Sequence, residues 1–198
     1  MAHVAPLPRD DAPEFEDYFR FLDANAGYVP NSFLTMARIP ALLRGYLAFS
    51  SALSSLDRVD RGLKVLMSHL ASSANGCRFC EAHTSHTAKK TGVDAARIAA
   101  VWEFERSALF DESERAALRL ALAMGKSPNG VGPEHFEALR AHFDEEQIVE
   151  MVAAVCLFGF WNRCNDTLAT DLERPVADLA QTLIGGRGWS AGRHRVVD

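Results

Sequence analysis

The sequence predicts an all-α, single-domain helical bundle. Apolar residues recur at three- and four-residue steps along nearly every segment from Pro13 onward, which is the spacing of one helix face. No segment shows the sustained alternation of apolar and polar residues that marks a half-buried strand. With 198 residues, 48% of them hydrophobic, the chain can bury one core. We therefore expect a helical domain at residues 13–184 and an extended N-terminal arm at residues 1–12. We expect the Gly/Arg-rich tail at residues 185–198 to be mobile or to dock against a neighbouring subunit.

Proline, glycine and capping residues mark the helix boundaries in the N-terminal half. The predicted helices are, in order, one ending near Gly27, a short one after Asn31, one starting at Pro40, one ending near Ala74 and one from about Phe79 to Thr91. The dipeptide Asn75-Gly76 separates the last two because both residues tolerate left-handed backbone angles.

The C-terminal half predicts four further helices. Gly92 ends the preceding helix, and the four begin after Asp94, after Asp111 or Ser113, at Pro133 and near Glu145. The last runs to about Ala169, and its segment Met151–Trp161 is apolar on nearly every side. Such a helix is either central to the core or shared between subunits, so we expect a homo-oligomer.

Charge and hydropathy exclude several classes of function. The net charge of −5 gives no reason to expect nucleic acid or an anionic membrane as a partner. The longest apolar run is too short to cross a bilayer, and the N-terminus lacks the pattern of a signal peptide. We expect a cytoplasmic protein, where a close cysteine pair is more typical of metal binding or redox chemistry than of a structural disulfide.

The stretch NGCRFCEAHTSH, residues 75–86, places two cysteines and two histidines three residues apart. As zinc ligands these residue types are suitable, but on one helix Cys77 and His86 would be separated by about 13 Å of rise, so all four cannot converge on one ion. A zinc site with Cys77, Cys80, His83 and a distant fourth ligand stays open as an alternative.

A redox dithiol fits the spacing better. Cys77 and Cys80 lie at the start of a helix, where the partial positive charge favours thiolate and lowers the thiol pKa. The i,i+3 spacing brings the sulfurs close enough for a disulfide. His83 shares a face with Cys80 and can accept the thiol proton, and His86 could relay it to bulk water. No metal and no cofactor is expected in this interpretation.

The remaining histidines and cysteines have structural interpretations. We expect His69 and His86 to be solvated or hydrogen-bonded by default. His135, His142 and His194 are expected at the surface, and Cys156 in the core, whereas Cys164 is ambiguous because it lies in the polar patch NRCND.

Three segments of the sequence resemble a known protein family. NGCRFCEAHT resembles the core of the alkyl hydroperoxidase D and carboxymuconolactone decarboxylase superfamily, and YVPNSFLTMARIPALLRGYLAFSSAL and EEQIVEMVAAVCLFGFWNRCNDTLAT resemble flanking helices of its peroxidase-related branch. The similarity covers roughly residues 28–172. It implies an all-helical bundle that assembles into dimers, trimers or hexamers, with the CxxC motif at the N-terminus of a core helix.

The resemblance also implies a reaction. Cys80 would attack a hydroperoxide and become a sulfenic acid, Cys77 would condense with it to a disulfide, and an unidentified dithiol reductant would reduce that disulfide. His83 would help deprotonation. The sequence departs from the hydroperoxidase pattern because Thr84 stands at the expected histidine position and Val65 and Phe79 stand at two relay positions. Glu81, Asp60 and His69 are possible substitutes.

Two other functions stay open beside a thiol-dependent hydroperoxide reductase. One is a cofactor-free lyase like the lactone decarboxylases, in which Arg163 would hold a substrate carboxylate. The other is a non-enzymatic helical oligomer that senses redox state or binds zinc through the cysteine pair.

Overall fold

The computed structural model describes all residues from Met1 to Asp198. It contains ten α-helices and two very short strands, joined by loops and four single 3₁₀ turns. The helices are α1 Glu16–Ala26, α2 Asn31–Met36, α3 Pro40–Ser54, α4 Arg61–Asn75, α5 Arg78–Lys90, α6 Ala95–Ala100, α7 Glu112–Met124, α8 Pro133–Arg140, α9 Glu145–Leu168 and α10 Arg174–Ile184; the strands are β1 Leu172–Glu173 and β2 Val196–Val197. The predicted all-α fold is confirmed.

Local chemistry sets most helix boundaries. Asp60, Asp94, Asp111 and Asp144 each accept a hydrogen bond from a backbone N–H in the first turn of the helix that follows, which satisfies a donor that the helix cannot pair internally. Gly76 ends α4 with φ of 84°, a left-handed angle that costs glycine little. The break between α4 and α5 is therefore encoded locally, as predicted.

The α4–α5 hairpin lies at the centre of the bundle. Helix α4 packs against α5, α7 and α9, and α5 packs in addition against α10. The α4 side chains of Leu66, Met67 and Leu70 have no exposed surface. This arrangement encloses the start of α5, and with it the cysteine pair, within the core.

Helix α9 is apolar on both its buried and its exposed sides. Met151 and Val155 face the core, whereas Val149 and Phe160 are exposed. Cys156 lies on the exposed side, so its prediction as a core residue is wrong. The helical repeat turns position 156 by about 100° from its buried neighbour Val155, and the uniform hydropathy of the segment hid that rotation. No helix in the chain is both long and apolar enough to cross a membrane.

The C-terminal tail packs on its own chain, unlike the mobile tail that its composition suggests. Strand β2 pairs in parallel with β1, so a minimal sheet exists where none was predicted. The Trp189 indole is buried and donates to the Arg78 carbonyl at 3.2 Å. His194, expected at the surface, is only 2% exposed, and its Nδ1 lies 2.9 Å from the Thr170 carbonyl. Trp189 and His194 thus connect the glycine-rich segment to the bundle through one hydrogen bond each.

The N-terminal arm also lies along the bundle. Its backbone N–H groups at His3 and Leu7 donate to the carbonyls of Leu168 and Leu34. Arg9 binds the carboxylates of Glu16 and Asp23.

Candidate functional site

The two cysteines of the motif lie side by side at the start of α5. Cys77 is the N-cap residue, and its sulfur accepts the backbone N–H of Cys80 at 3.4 Å. Both are free thiols with 0% and 2% of their surface exposed. Cys80 lines a cavity with a volume of about 480 Å³, and Cys77 is not among the residues that line it. The two thiols therefore differ in their surroundings, because Cys80 contacts the cavity and Cys77 is fully buried.

Seven aromatic side chains contribute to the walls of the cavity next to Cys80. It lies between α5 and the helices α1, α3 and α9, together with the segment that joins α1 to α2. The aromatic lining residues are Tyr18, Tyr28, Phe33, Tyr46, Phe79, Phe158 and Trp161. Trp161 packs edge-on against Tyr46, with ring centroids 4.8 Å apart. Interlocked rings of this kind provide a preformed apolar site for a small organic molecule.

Burial raises the pKa of the Cys80 thiol well above its ordinary value, and the adjacent Cys77 side chain adds to the effect. The side-chain amide of Asn165 opposes this rise, with Nδ2 3.7 Å from the sulfur. The prediction of a lowered thiol pKa at the helix start is therefore wrong for the resting protein. Desolvation disfavours the thiolate more than the helix terminus and one amide donor favour it.

His83 sits at the centre of a chain of hydrogen-bonding groups. Its Nε2 lies 2.8 Å from Glu173 Oε2, and its Nδ1 lies 3.2 Å from the Tyr28 hydroxyl. A carboxylate only accepts, so Nε2 carries a proton and donates it to Glu173. In the neutral ring Nδ1 then accepts from Tyr28. Tyr28, His83 and Glu173 form a continuous path for a proton from the cavity wall.

Glu173 reaches the histidine from the opposite end of the sequence. It lies in β1, directly before α10, and its Oε1 accepts the backbone N–H of Asn31. Because β1 pairs with β2, the tail fixes the position of this carboxylate. Phe79 stacks on the other face of the histidine ring, with centroids 4.3 Å apart. The imidazole is thus held by a carboxylate, a hydroxyl and an aromatic face.

His86 and Tyr28 lie further along the same wall. The His86 ring packs edge-on against Tyr28, and burial together with the nearby His83 and Lys90 lowers the pKa of His86 to about 4. The pKa of Tyr28 is raised by burial and by the Glu173 carboxylate. Both groups are neutral near pH 7, so His86 cannot be a positively charged proton donor there.

The three residues suggested as substitutes for the missing relay groups lie elsewhere. Glu81 binds Ser73 and Arg78 and lines a separate cavity of about 390 Å³ on the other side of α5. His69 is buried, with Nδ1 2.9 Å from Thr84 Oγ1. Asp60 serves as the cap of α4. None of the three is among the residues that line the Cys80 cavity.

The structure also locates the residues that the alternative functions invoked. Arg163 is exposed on α9 and does not line the Cys80 cavity, so it is not placed to hold a substrate there. Nowhere in the chain are three histidine, cysteine or acidic side chains grouped closely enough to hold a metal ion. Cys164 lines a different cavity of about 230 Å³.

The sequence pattern groups Cys77, Cys80 and His83 on one helix but gives no indication of their hydrogen-bond partners. Tyr28 and Glu173 are 55 and 90 residues away from His83, and no spacing rule connects residues so far apart. Asn165 had a weak signal, because its polar patch interrupts an apolar helix. A polar residue in such a place generally needs a buried partner.

Comparisons with known proteins agree with this description. A model of the carboxymuconolactone decarboxylase family matches residues 40–123. The uncharacterized protein YdfG of Bacillus subtilis is 34% identical over 113 residues, which cover 56% of this chain and 74% of YdfG. YnjA of Escherichia coli, also uncharacterized, is 33% identical over 93 residues, but the match covers 46% of this chain and only half of YnjA.

Solved structures extend the similarity to nearly the whole chain. The debrominase Bmp8 is 34% identical, with a TM-score of 0.84 over 91% of this chain and 97% of Bmp8. A cysteine-to-alanine variant of Bmp8 in complex with 2,3,4-tribromopyrrole is 33% identical in sequence, with a TM-score of 0.85. The match covers 91% of this chain and 96% of the Bmp8 variant. An uncharacterized peroxidase-related protein from Ralstonia eutropha, with an alkylhydroperoxidase AhpD core, is 26% identical, with a TM-score of 0.77. The match covers 87% of this chain and 94% of the Ralstonia protein.

Proposed function

We propose that the protein is a thiol-dependent reductase of organic hydroperoxides. The chain belongs to the alkyl hydroperoxidase D and carboxymuconolactone decarboxylase superfamily. The observation that carries this proposal is the position of Cys80. It is the one cysteine of the pair that opens on the aromatic cavity, and it lies one helical turn from the histidine bound by Tyr28 and Glu173.

The reaction needs two cysteines and consumes one hydroperoxide. The Cys80 sulfur attacks the terminal oxygen of ROOH, the O–O bond breaks, and Cys80 becomes a sulfenic acid while ROH leaves. Cys77 then attacks the Cys80 sulfur, which forms the disulfide and releases water. The dithiol loses two electrons and the hydroperoxide gains them. Helical i,i+3 spacing supports this assignment because it lets the two sulfurs meet without a large backbone movement.

Proton transfer is the step for which the cavity wall is suited. The resting Cys80 is a thiol, since burial raises its pKa, so its proton has to leave as the S–O bond forms. The leaving alkoxide needs a proton at the same time. Tyr28 can accept a proton on its oxygen while passing its own to His83 Nδ1, and the reverse shift returns one to the alkoxide. The Glu173 carboxylate favours the positively charged imidazole that forms transiently.

An external dithiol completes the cycle by reducing the Cys77–Cys80 disulfide through thiol exchange. Such a cycle requires a reducing compartment, which supports a cytoplasmic location.

The reaction is tested by trapping its intermediate. Reduced Cys77→Ser protein is treated with one equivalent of cumene hydroperoxide and then with dimedone, which labels sulfenic acids. We expect one label per chain on Cys80, by peptide mass spectrometry, and a disulfide but little label in the parent. A label on Cys156 or Cys164 instead of Cys80 would exclude the assignment.

A second candidate function is the reductive dehalogenation of a halogenated aromatic compound. It is favoured by the aromatic cavity and by the 34% identity to the debrominase Bmp8 over most of both chains. The same two electrons would convert an aryl bromide and the dithiol to the unhalogenated ring, bromide, a proton and the disulfide. Bromide released by the reduced protein from 2,3,4-tribromopyrrole, one ion per disulfide formed, would support this candidate over the peroxidase.

We also propose that the protein is a homo-oligomer. Apolar side chains are exposed on two neighbouring helices, with Phe49 on α3 and Val149 and Phe160 on α9, and patches of this kind typically mark subunit contacts. Sedimentation equilibrium should give a mass above that of one chain, and Val149→Glu should lower it. A parent that is monomeric at every concentration would contradict this proposal.

A further inference from the structure

The cavity follows one stripe of α5 away from the dithiol. Cys80, His83, Thr87 and Lys90 line it, and their spacing places them on one side of the helix. Ten residues separate Cys80 from Lys90, which corresponds to about 15 Å of helix rise. The cavity is therefore elongated, with the reactive sulfur near one end.

Two cations line the cavity, and the α4–α5 hairpin places both towards the end away from Cys80. Helices α4 and α5 form a hairpin around Gly76, so the first residue of α4, Arg61, lies beside the last turn of α5. Arg61 and Lys90 both line the cavity and both are exposed, as expected for residues at its mouth. Lys90 donates one hydrogen bond, to the Asn25 carbonyl at 2.7 Å, and an ammonium group has two further donors.

The charge of the cavity is one-sided. Its twenty lining residues include Arg61 and Lys90 but no aspartate and no glutamate. Neither cation has a carboxylate within 4.0 Å, although the chain carries a net charge of −5 and its other lysines and arginines form eighteen ion pairs. The other lining residues include seven aromatic side chains, beside polar ones such as His83, Thr87 and Asn165. Two unpaired cations at one end of a cavity with aromatic side chains favour a ligand that has a negatively charged end and an apolar body.

We propose that the cavity selects an amphipathic anion, namely an organic hydroperoxide with an apolar body and a carboxylate at its far end. The carboxylate binds Arg61 and Lys90, the body lies among the aromatic rings, and the reactive group reaches Cys80. The nature of the reactive group rests on the proposed function. The preference for an anion at the mouth does not, because it follows from the charges of the lining.

Binding of an unreactive probe tests this selection apart from any redox chemistry. Isothermal titration calorimetry of the reduced protein compares 4-phenylbutanoate with the neutral 4-phenylbutanamide. We expect the acid to bind more tightly than the amide. Acid binding should weaken by about two- to fivefold in Arg61→Gln and in Lys90→Gln, which is the range for the loss of one solvent-exposed ion pair. Binding of the amide should stay unchanged in both.

Lys89→Gln provides the matched control. Lys89 is the exposed neighbour of Lys90, lies outside the cavity lining and forms no ion pair, so the same loss of charge should leave acid binding at the parent level. A higher salt concentration should weaken the binding of the acid, because it screens the charges, and should leave the binding of the amide unchanged.

The outcomes separate this inference from the proposed function. Equal affinity for acid and amide, no binding of either, or an equal effect of Lys89→Gln and Lys90→Gln would overturn the anion selection. If the acid preference holds but the thiols do not react with hydroperoxide, only the peroxidase proposal fails. If the thiols react and a carboxylated hydroperoxide has the same KM as its methyl ester, only the anion selection fails.

Discussion

Replacing Glu173 by glutamine removes the negative charge beside His83 while keeping a side chain of the same shape. In the parent, the carboxylate lies 2.8 Å from Nε2, with 13% of the His83 side chain and 9% of the Glu173 side chain exposed. A hydrogen bond to a charged group contributes about 1.5–3 kcal/mol and a neutral one about 0.5–1.5 kcal/mol. The variant should lose about 1–1.5 kcal/mol of support for the imidazolium, which slows the oxidation of Cys80 roughly five- to tenfold.

The assay is a single turnover. Reduced protein is mixed with excess cumene hydroperoxide, quenched at successive times with acid, and the remaining thiols are counted after unfolding. Glu81→Gln is the matched control, because Glu81 is also a buried carboxylate close to the dithiol but binds Ser73 and Arg78 on the other side of α5. The control should react within about twofold of the parent rate, because residues that share no interaction network act nearly independently.

Two results would refute the reasoning. One is a Glu173→Gln protein that is folded and reacts at the parent rate, since the carboxylate would then have no part in proton transfer. The other is an equal loss of rate in both variants, since any buried charge near α5 would then have the same effect.

Three further predictions concern the Tyr28 hydroxyl, the His86 imidazole and the Trp189 side chain of the tail. Tyr28→Phe keeps the ring contacts with His83 and His86 but removes the proton path, so thiol oxidation in the same single-turnover assay should slow about tenfold or more; an unchanged rate would exclude Tyr28 from the relay. The pKa of His86 is lowered to about 4 in the folded protein, whereas an unfolded histidine protonates near pH 6.5. The unfolded chain therefore binds more protons between these values, and the free energy of unfolding should fall as the pH drops from about 6.5 to 4; urea titrations should show this slope reduced in His86→Gln, and an equal slope would exclude His86 as a source. Trp189→Ala should lower the free energy of unfolding by about 3 kcal/mol, as for other buried large-to-small changes, and a shift in the urea midpoint no greater than that of an exposed Phe21→Ala control would contradict the packing of the tail.

The sequence was sufficient to predict the helices because their boundaries depend on neighbouring residues. Asp94 and Asp111 cap helices through side chains two or three positions from the N–H groups they bind. Gly76 adopts a left-handed angle that few other residues tolerate. Each of these interactions spans at most one turn and therefore leaves a mark in the sequence.

The candidate site was predictable only where it is local. Cys77, Cys80 and His83 share one helical stripe, whereas Tyr28, Asn165 and Glu173 come from three other elements. The tail was misjudged because its glycines dominate the composition, while its fixed position depends on Trp189, His194 and a two-residue strand. The thiol pKa was predicted in the wrong direction because burial follows from tertiary packing and outweighs the helix terminus.

Counting thiols after one equivalent of hydroperoxide tests the central claim most directly. The protein is fully reduced, freed of reductant, treated with one equivalent of cumene hydroperoxide and titrated, with Cys80→Ser and the exposed-cysteine variant Cys156→Ser beside it. We expect the parent and Cys156→Ser to lose two thiols per chain at a rate well above that of free cysteine, and Cys80→Ser to lose none on that timescale. Thiols that persist in the parent, or that react no faster than free cysteine, would contradict a dithiol hydroperoxide reductase.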